Sequence, residues 1–222
     1  MRVSTTEAVE AQTASDSQLA PKHGLGVLGR AVIAAVAATV ITFSADHSPT
    51  LGLVVFGVFA IATGIVLVVT ALTTIARGSI RTLVVLHGAV AVATGTIALV
   101  SSSGDLATLI LIVAAFASIT GFIEFYIGLR SRDVLDVSRD WVFVGALTAA
   151  LAVTAVLLPR DIRDPVVGVN GVEAYLTSSV IFVGLIGAYC AIVAVYLAIA
   201  GLSLTWARRP TAAGAADGVD RP

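Results

Sequence analysis

Long apolar runs separated by short polar segments dominate the chain between residues 25 and 207. A helix that crosses the hydrocarbon core of a bilayer needs about 20 mostly apolar residues. The runs are too long for single strands and lack the alternating polarity of membrane β-strands. Because backbone groups in lipid must be hydrogen-bonded internally, the pattern predicts transmembrane helices. Six runs qualify: Leu25–Ser44, Thr50–Ala76, Thr82–Gly104, Leu106–Leu129, Trp141–Pro159 and a sixth within Ala174–Ala207.

Composition also favours a membrane protein. Of the 222 residues, 58% are apolar and 12% are charged, whereas soluble domains carry roughly 25% charged residues. The formal net charge is −1, so no overall basic field attracts nucleic acid. We expect residues 1–22 and 208–222 to be disordered cytoplasmic tails, and residues 23–207 to form one transmembrane domain.

The basic residues indicate how the spans are threaded through the membrane. If there are six spans, eleven Lys and Arg residues fall on one side and two, Arg160 and Arg163, on the other. Because short cytoplasmic loops are enriched in Lys and Arg, both termini are predicted to be cytoplasmic, and Trp141 and Trp206 to lie at the cytoplasmic interface. Arginine outnumbers lysine twelve to one, which together with abundant Ala, Val and Gly suggests a bacterial source.

Three spans share the short pattern Ala-x-x-Thr-Gly. Small residues spaced four apart lie on one helix face and let helix backbones approach closely in lipid. The threonines could instead line a path through the bundle, so helix packing and path lining both remain open. The residues are Ala60, Thr63 and Gly64 in span two, Ala91, Thr94 and Gly95 in span three, and Ala117, Thr120 and Gly121 in span four.

The arrangement of spans predicts an all-α integral membrane fold of three tandem helical hairpins, formed by spans one and two, three and four, and five and six. Together with the recurring Ala-x-x-Thr-Gly and the segment GFIEFYIGLR at residues 121–130, this layout resembles the HdeD-type acid-resistance membrane proteins. The resemblance covers about residues 25–207. It implies an inner-membrane helical bundle associated with acid stress in enteric bacteria, and it supplies no catalytic residues.

Three ionisable residues fall inside the predicted spans: Arg30, His87 and Glu124. Such residues are costly in lipid and are functional candidates by default. His87 follows Arg81 by six residues and Glu124 precedes Arg130 by six, which places each about 9 Å inside the same membrane leaflet. A buried Arg30–Glu124 pair with His87 beside it is one interpretation. In the other, Arg30 extends to lipid headgroups and Glu124 bonds a local partner such as Tyr126.

Motifs for catalysis and cofactor binding are missing from the sequence. There is no P-loop, no HExxH and no GxSxG, and the glycines of GLGVLG (Gly24–Gly29) open a membrane span without a βαβ context. We therefore expect no catalytic residues, metal or cofactor. The favoured hypothesis is a non-enzymatic protein that binds membrane lipids, a second copy of itself or another membrane protein. A small channel or transporter with a polar path near Glu124 is the alternative, and a membrane-embedded enzyme is the weakest of the three.

Overall fold

The structure is a computed structural model that describes residues 24–131, 138–167 and 173–206. Both predicted tails lie outside these residues. Six helices and one pair of strands make up the described part of the chain. In chain order they are α1 (Gly24–Phe43), α2 (Pro49–Thr74), α3 (Ser79–Val100), α4 (Leu106–Arg130), α5 (Ser138–Leu157), β1 (Arg163–Val167), β2 (Glu173–Thr177) and α6 (Ser178–Trp206).

All six helices are long and apolar enough to cross a membrane, so the predicted number of spans is confirmed. The outer surface of the bundle is apolar as well. Large hydrophobic side chains project from it, which suits lipid and not water as the surrounding medium. Among the most exposed are Phe43, Val100, Leu111, Phe122 and Leu157.

The described fold is nearly all helical, as predicted, and one short strand pair, which was not predicted, is added to it. Strands β1 and β2 are antiparallel, with Arg163 opposite Thr177 and Pro165 opposite Tyr175. The Arg163 guanidinium lies 4.7 Å from the centre of the Tyr175 ring, a cation–π contact that joins the two strands. The sixth helix therefore begins only at Ser178, because the residues just before it belong to β2.

Polar caps fix where two of the helices begin. The Ser48 hydroxyl accepts a hydrogen bond from the Leu51 N–H, and Pro49 occupies the first turn of α2, where its missing N–H costs nothing. The Asp105 carboxylate accepts from the Thr108 N–H at 2.9 Å and caps α4 in the same way. These caps and the strand pair lie at one end of the bundle, which we call the hairpin face.

The opposite end of the bundle is called the arginine-rich face. Helices α1, α3 and α5 begin there, and α2, α4 and α6 end there. The described arginines on it are Arg77, Arg81, Arg130 and Arg139, whereas Arg160 and Arg163 lie at the hairpin face. The remaining basic residues counted in the threading argument, except Arg30, are outside the described residues: Arg2, Lys22, Arg132, Arg208, Arg209 and Arg221.

The closest helix pairs differ from the predicted hairpins. Among helices α2 to α6, α2 packs most extensively against α3, and α4 against α5. Helix α1 contacts α6 in an antiparallel sense, with Gly187 facing Ile41 and Gly201 facing Leu28. The most extensive pairs are thus two–three and four–five, whereas α1 lies against both α6 and α2, where Gly26 faces Thr70.

Candidate functional site

The centre of the site is an ion pair between α1 and α4. An Arg30 guanidinium nitrogen lies 3.0 Å from Glu124 Oε1, and the two side chains are 11% and 3% exposed. The Arg30 charge is also 5.5 Å from the centre of the Trp141 ring on α5. An isolated charge in a low-dielectric interior is costly, so Arg30 and Glu124 each need the other as a counter-ion.

The second carboxylate oxygen of Glu124 contacts the Thr148 hydroxyl, which in turn contacts the Tyr189 hydroxyl. The Thr148 hydroxyl on α5 lies 3.0 Å from Glu124 Oε2, 2.8 Å from the Val144 carbonyl and 2.9 Å from the Tyr189 hydroxyl on α6. A threonine hydroxyl has one proton and two lone pairs, so it donates to one of the two acceptors at a time and can accept from Tyr189. A hydrogen-bonded chain therefore runs from Glu124 through Thr148 to Tyr189.

His87 completes this group from α3. Its Nδ1 lies 3.8 Å from Glu124 Oε1, the same oxygen that Arg30 contacts, which is too long for a hydrogen bond. The imidazole is buried, and its centre lies 6.3 Å from that of the Trp141 ring in an edge-on contact. We call Arg30, His87, Glu124, Thr148 and Tyr189 the polar cluster.

Two small cavities lie along the bundle on either side of Arg30. The inner cavity, of about 10 Å³, is lined by the polar cluster members other than Thr148 and by Phe59, Thr63, Phe116, Thr120 and Val193. The outer cavity, of about 30 Å³, lies between the polar cluster and the arginine-rich face, where Gly26, Thr70, Ile75 and Asp140 border it. Arg30 lines both cavities.

The half of the bundle toward the hairpin face is filled with apolar side chains. The Phe56 and Phe116 rings pack edge to face with centres 5.1 Å apart. Around them lie side chains that are essentially inaccessible to solvent: Leu53, Leu109, Val113, Phe182, Val183 and Ile186. The polar groups are thus separated from the hairpin face by close-packed hydrocarbon.

The Ala-x-x-Thr-Gly residues serve mainly as packing surfaces. A Cβ added at Gly64 would come within 2.6 Å of the Gly88 carbonyl oxygen, and one at Gly95 within 2.7 Å of the Gly57 carbonyl oxygen. A Cβ added at Gly121 would meet the Ala149 amide nitrogen at 2.9 Å. The preceding alanines of the three motifs are fully buried: Ala60, Ala91 and Ala117.

The three motif threonines have different environments. Thr63 and Thr120 line the inner cavity, and Thr120 also donates to the Phe116 carbonyl at 2.7 Å. Thr94 donates to the Val90 carbonyl of its own helix at 2.8 Å and is not among the residues that line the inner cavity. The sequence motif is shared, but only two of its three hydroxyls reach the polar interior.

Sequence reasoning missed two residues of the site. Thr148 and Tyr189 were not singled out, although a hydroxyl inside an apolar span needs a partner and so gives a usable signal. Trp141, predicted to lie at the cytoplasmic interface, is in the first turn of α5 at the arginine-rich face, but its ring is buried against Arg30 and His87. The Trp206 side chain lies outside the described part of the chain. Tyr126, the suggested local partner of Glu124, instead stacks on Phe122.

No protein-family model, curated protein or solved structure matches this chain. The functional argument therefore depends on the polar cluster and its surroundings. Among the described residues, no group of three or more His, Cys, Asp or Glu side chains could hold a metal ion. Cys190, the single cysteine of the sequence, is buried and touches none of the charged groups at hydrogen-bond distance in the described region.

Proposed function

We propose that this protein is a non-enzymatic, multi-pass protein of a bacterial inner membrane that acts in acid or stress resistance, as the HdeD-type proteins that it resembles do. It would act by binding membrane lipids, another membrane protein or a second copy of itself. The observation that carries the proposal is the closed interior. The buried charges of Arg30 and Glu124 neutralise each other and do not line an open path.

Two further observations support a binding role over conduction. In the described part of the chain, the interior between the polar cluster and the hairpin face is packed with apolar side chains, which cannot replace the hydration shell of a solute. The inner cavity of about 10 Å³ is of the size that accommodates a single water. Neither feature suits the passage of a hydrated ion or a metabolite in this conformation.

Orientation belongs to the same proposal. The described arginines are concentrated at the arginine-rich face, where four lie against two at the hairpin face. We therefore place the arginine-rich face and both termini in the cytoplasm. The strand pair would then face outward, and partners or lipids in the outer leaflet would meet it first.

The experiment that tests the proposal compares survival of a deletion strain in strong acid with that of the same strain carrying the wild-type gene. We expect the deletion to reduce survival and the wild-type chain to restore it. A chain with Glu124→Gln, expressed at the same level in the membrane, should restore it less well. Equal survival of the deletion and wild-type strains under acid and other envelope stresses would contradict the proposed role.

The alternative function is a small channel or transporter. It is favoured by one observation: a charged side chain, Arg30, lines both the inner and the outer cavity. Purified protein in sealed vesicles should then pass protons or a small solute, detected with an enclosed pH-sensitive dye under an imposed potential. Flux in wild-type vesicles that vanishes in Glu124→Gln vesicles would favour transport over the binding role, and flux equal to that of empty vesicles would eliminate transport.

A further inference from the structure

Three buried polar atoms around the inner cavity form no hydrogen bond within the part of the chain that the structure describes. They are Arg30 Nε, Thr63 Oγ1 and His87 Nδ1. Thr63 and His87 are 6% and 2% exposed, and all three residues line the inner cavity. Leaving a buried polar group without a hydrogen bond is unfavourable, so three such atoms around one small space point to a common ligand.

The chemistry of these atoms restricts what that ligand can be. Arg30 Nε is only a donor, the Thr63 hydroxyl can donate and accept, and His87 Nδ1 does either according to its tautomer. A ligand that both accepts and donates hydrogen bonds satisfies all three. Water does so, with two protons and two lone pairs, and buried waters typically make about three hydrogen bonds.

Size and charge favour water over an anion. The inner cavity has a volume of about 10 Å³, close to the lower limit of about 10–15 Å³ for a single water. The charge of Arg30 is already balanced by Glu124 at 3.0 Å. A halide would therefore add an unbalanced negative charge to a low-dielectric interior, and burying such a charge without a counter-ion is strongly unfavourable.

We propose that the inner cavity is a binding site for one water molecule, held by Thr63 Oγ1 and His87 Nδ1 with Arg30 Nε as the third partner. The water brings α2 and α3 into a network that already includes α1, α4, α5 and α6, so every helix contributes a polar group. This site is independent of whether the protein binds partners or transports a solute.

The direction in which Tm changes on one substitution tests the proposed water site. Thr63→Val keeps the shape of the side chain and removes its hydroxyl. If a water bonds that hydroxyl, the variant loses a hydrogen bond and its Tm falls by about 2–4 °C in detergent. If the cavity is dry, the variant removes an unbonded buried hydroxyl and its Tm stays unchanged or rises, which overturns the proposal.

Thr94→Val is the matched control, because Thr94 occupies the same motif position but donates to its own helix. Its Tm should change less than that of Thr63→Val. Should Thr63→Val fail to fold, an experimental structure of the wild-type protein at about 2 Å resolution decides the question. Density for a water within hydrogen-bond distance of Thr63 Oγ1 and His87 Nδ1 supports the proposal, and continuous empty space between those atoms overturns it.

A second measurement distinguishes water from an anion. Wild-type Tm is recorded in chloride and in sulfate buffers of equal ionic strength. A ligand that binds only the folded state raises Tm with its concentration, so a water site predicts no dependence on chloride. A chloride-dependent rise in Tm that is lost in Thr63→Val would show that a halide, and not water, occupies the inner cavity, and would overturn the proposal.

Discussion

Arg30 and Glu124 are 94 residues apart in the chain, yet a nitrogen of one lies 3.0 Å from an oxygen of the other inside the bundle. Helix α1 carries the arginine and α4 the glutamate. The contact ties the first helix to the fourth across the centre of the protein. Its consequences for stability can be measured directly.

Glu124→Gln should destabilise the bundle strongly, because it leaves the Arg30 charge buried without a counter-ion. The expected loss is about 3–5 kcal/mol in the free energy of unfolding, measured by denaturant titration in mixed micelles. Arg30→Met combined with Glu124→Gln should recover part of this loss, since no unpaired charge remains. Arg77→Gln is the control, because Arg77 is exposed. If the losses in unfolding free energy of the Arg30→Met and Glu124→Gln single variants summed to that of the double variant, the two groups would be uncoupled.

Gly64→Ala should weaken the contact between α2 and α3. The added methyl would lie 2.6 Å from the Gly88 carbonyl oxygen, so the helices must separate, at a cost of about 1–3 kcal/mol. Gly184→Ala is the matched control, because nothing lies within 4 Å of its Cβ position. That variant should be neutral or more stable by up to about 1 kcal/mol, since alanine favours the helix. Thermal unfolding in detergent compares the two, and equal Tm values would argue against the glycine contact.

The cap of α4 should make stability depend on pH. The Thr108 N–H and hydroxyl donate to the Asp105 carboxylate and hold the pKa of Asp105 below its ordinary value. A carboxylate with a depressed folded-state pKa stabilises the protein above the unfolded-state pKa, and the contribution disappears as pH falls through the folded-state pKa. Wild-type Tm should therefore fall toward that of Asp105→Asn in acid.

The asparagine at position 105 still offers an oxygen to the helix but has no proton to gain in this range. The difference in Tm between wild type and Asp105→Asn is therefore recorded from neutral pH down to below about pH 4. Asp161→Asn serves as the control, because Asp161 is exposed and caps none of the described helices. If the difference in Tm between wild type and Asp105→Asn stayed constant over this pH range, the Asp105 cap would not titrate there.

The orientation of the bundle predicts a labelling pattern. In a Cys190→Ala background, which removes the single native cysteine, Ala45→Cys places a thiol at the hairpin face and Ala76→Cys places one at the arginine-rich face. Both positions are exposed, and neither substitution alters the arginines that set the orientation. A membrane-impermeant maleimide added to intact cells should label only the first. Labelling of only the second would reverse the proposed topology.

Much of the architecture follows from local sequence. The number of spans was predicted correctly, because six apolar runs of sufficient length need no tertiary information to be recognised. The strand pair was missed, because RDPVV and EAYLT are short and only partly apolar, and two such strands are stable only through their pairing. The hairpin partners were also predicted differently, because chain order does not say which glycine faces meet.

For the site, the sequence alone identified Arg30, His87 and Glu124, because ionisable residues in lipid-length apolar runs are conspicuous. It also located the Ala-x-x-Thr-Gly faces. Only the tertiary structure decided that Arg30 meets Glu124, that Trp141 is buried against Arg30, and that Thr148 and Tyr189 extend the network. The physical reason is that the free-energy cost of burying an ionisable side chain depends on the chemistry of that residue alone. Which residue pairs with it and offsets this cost depends on how helices distant in sequence pack together.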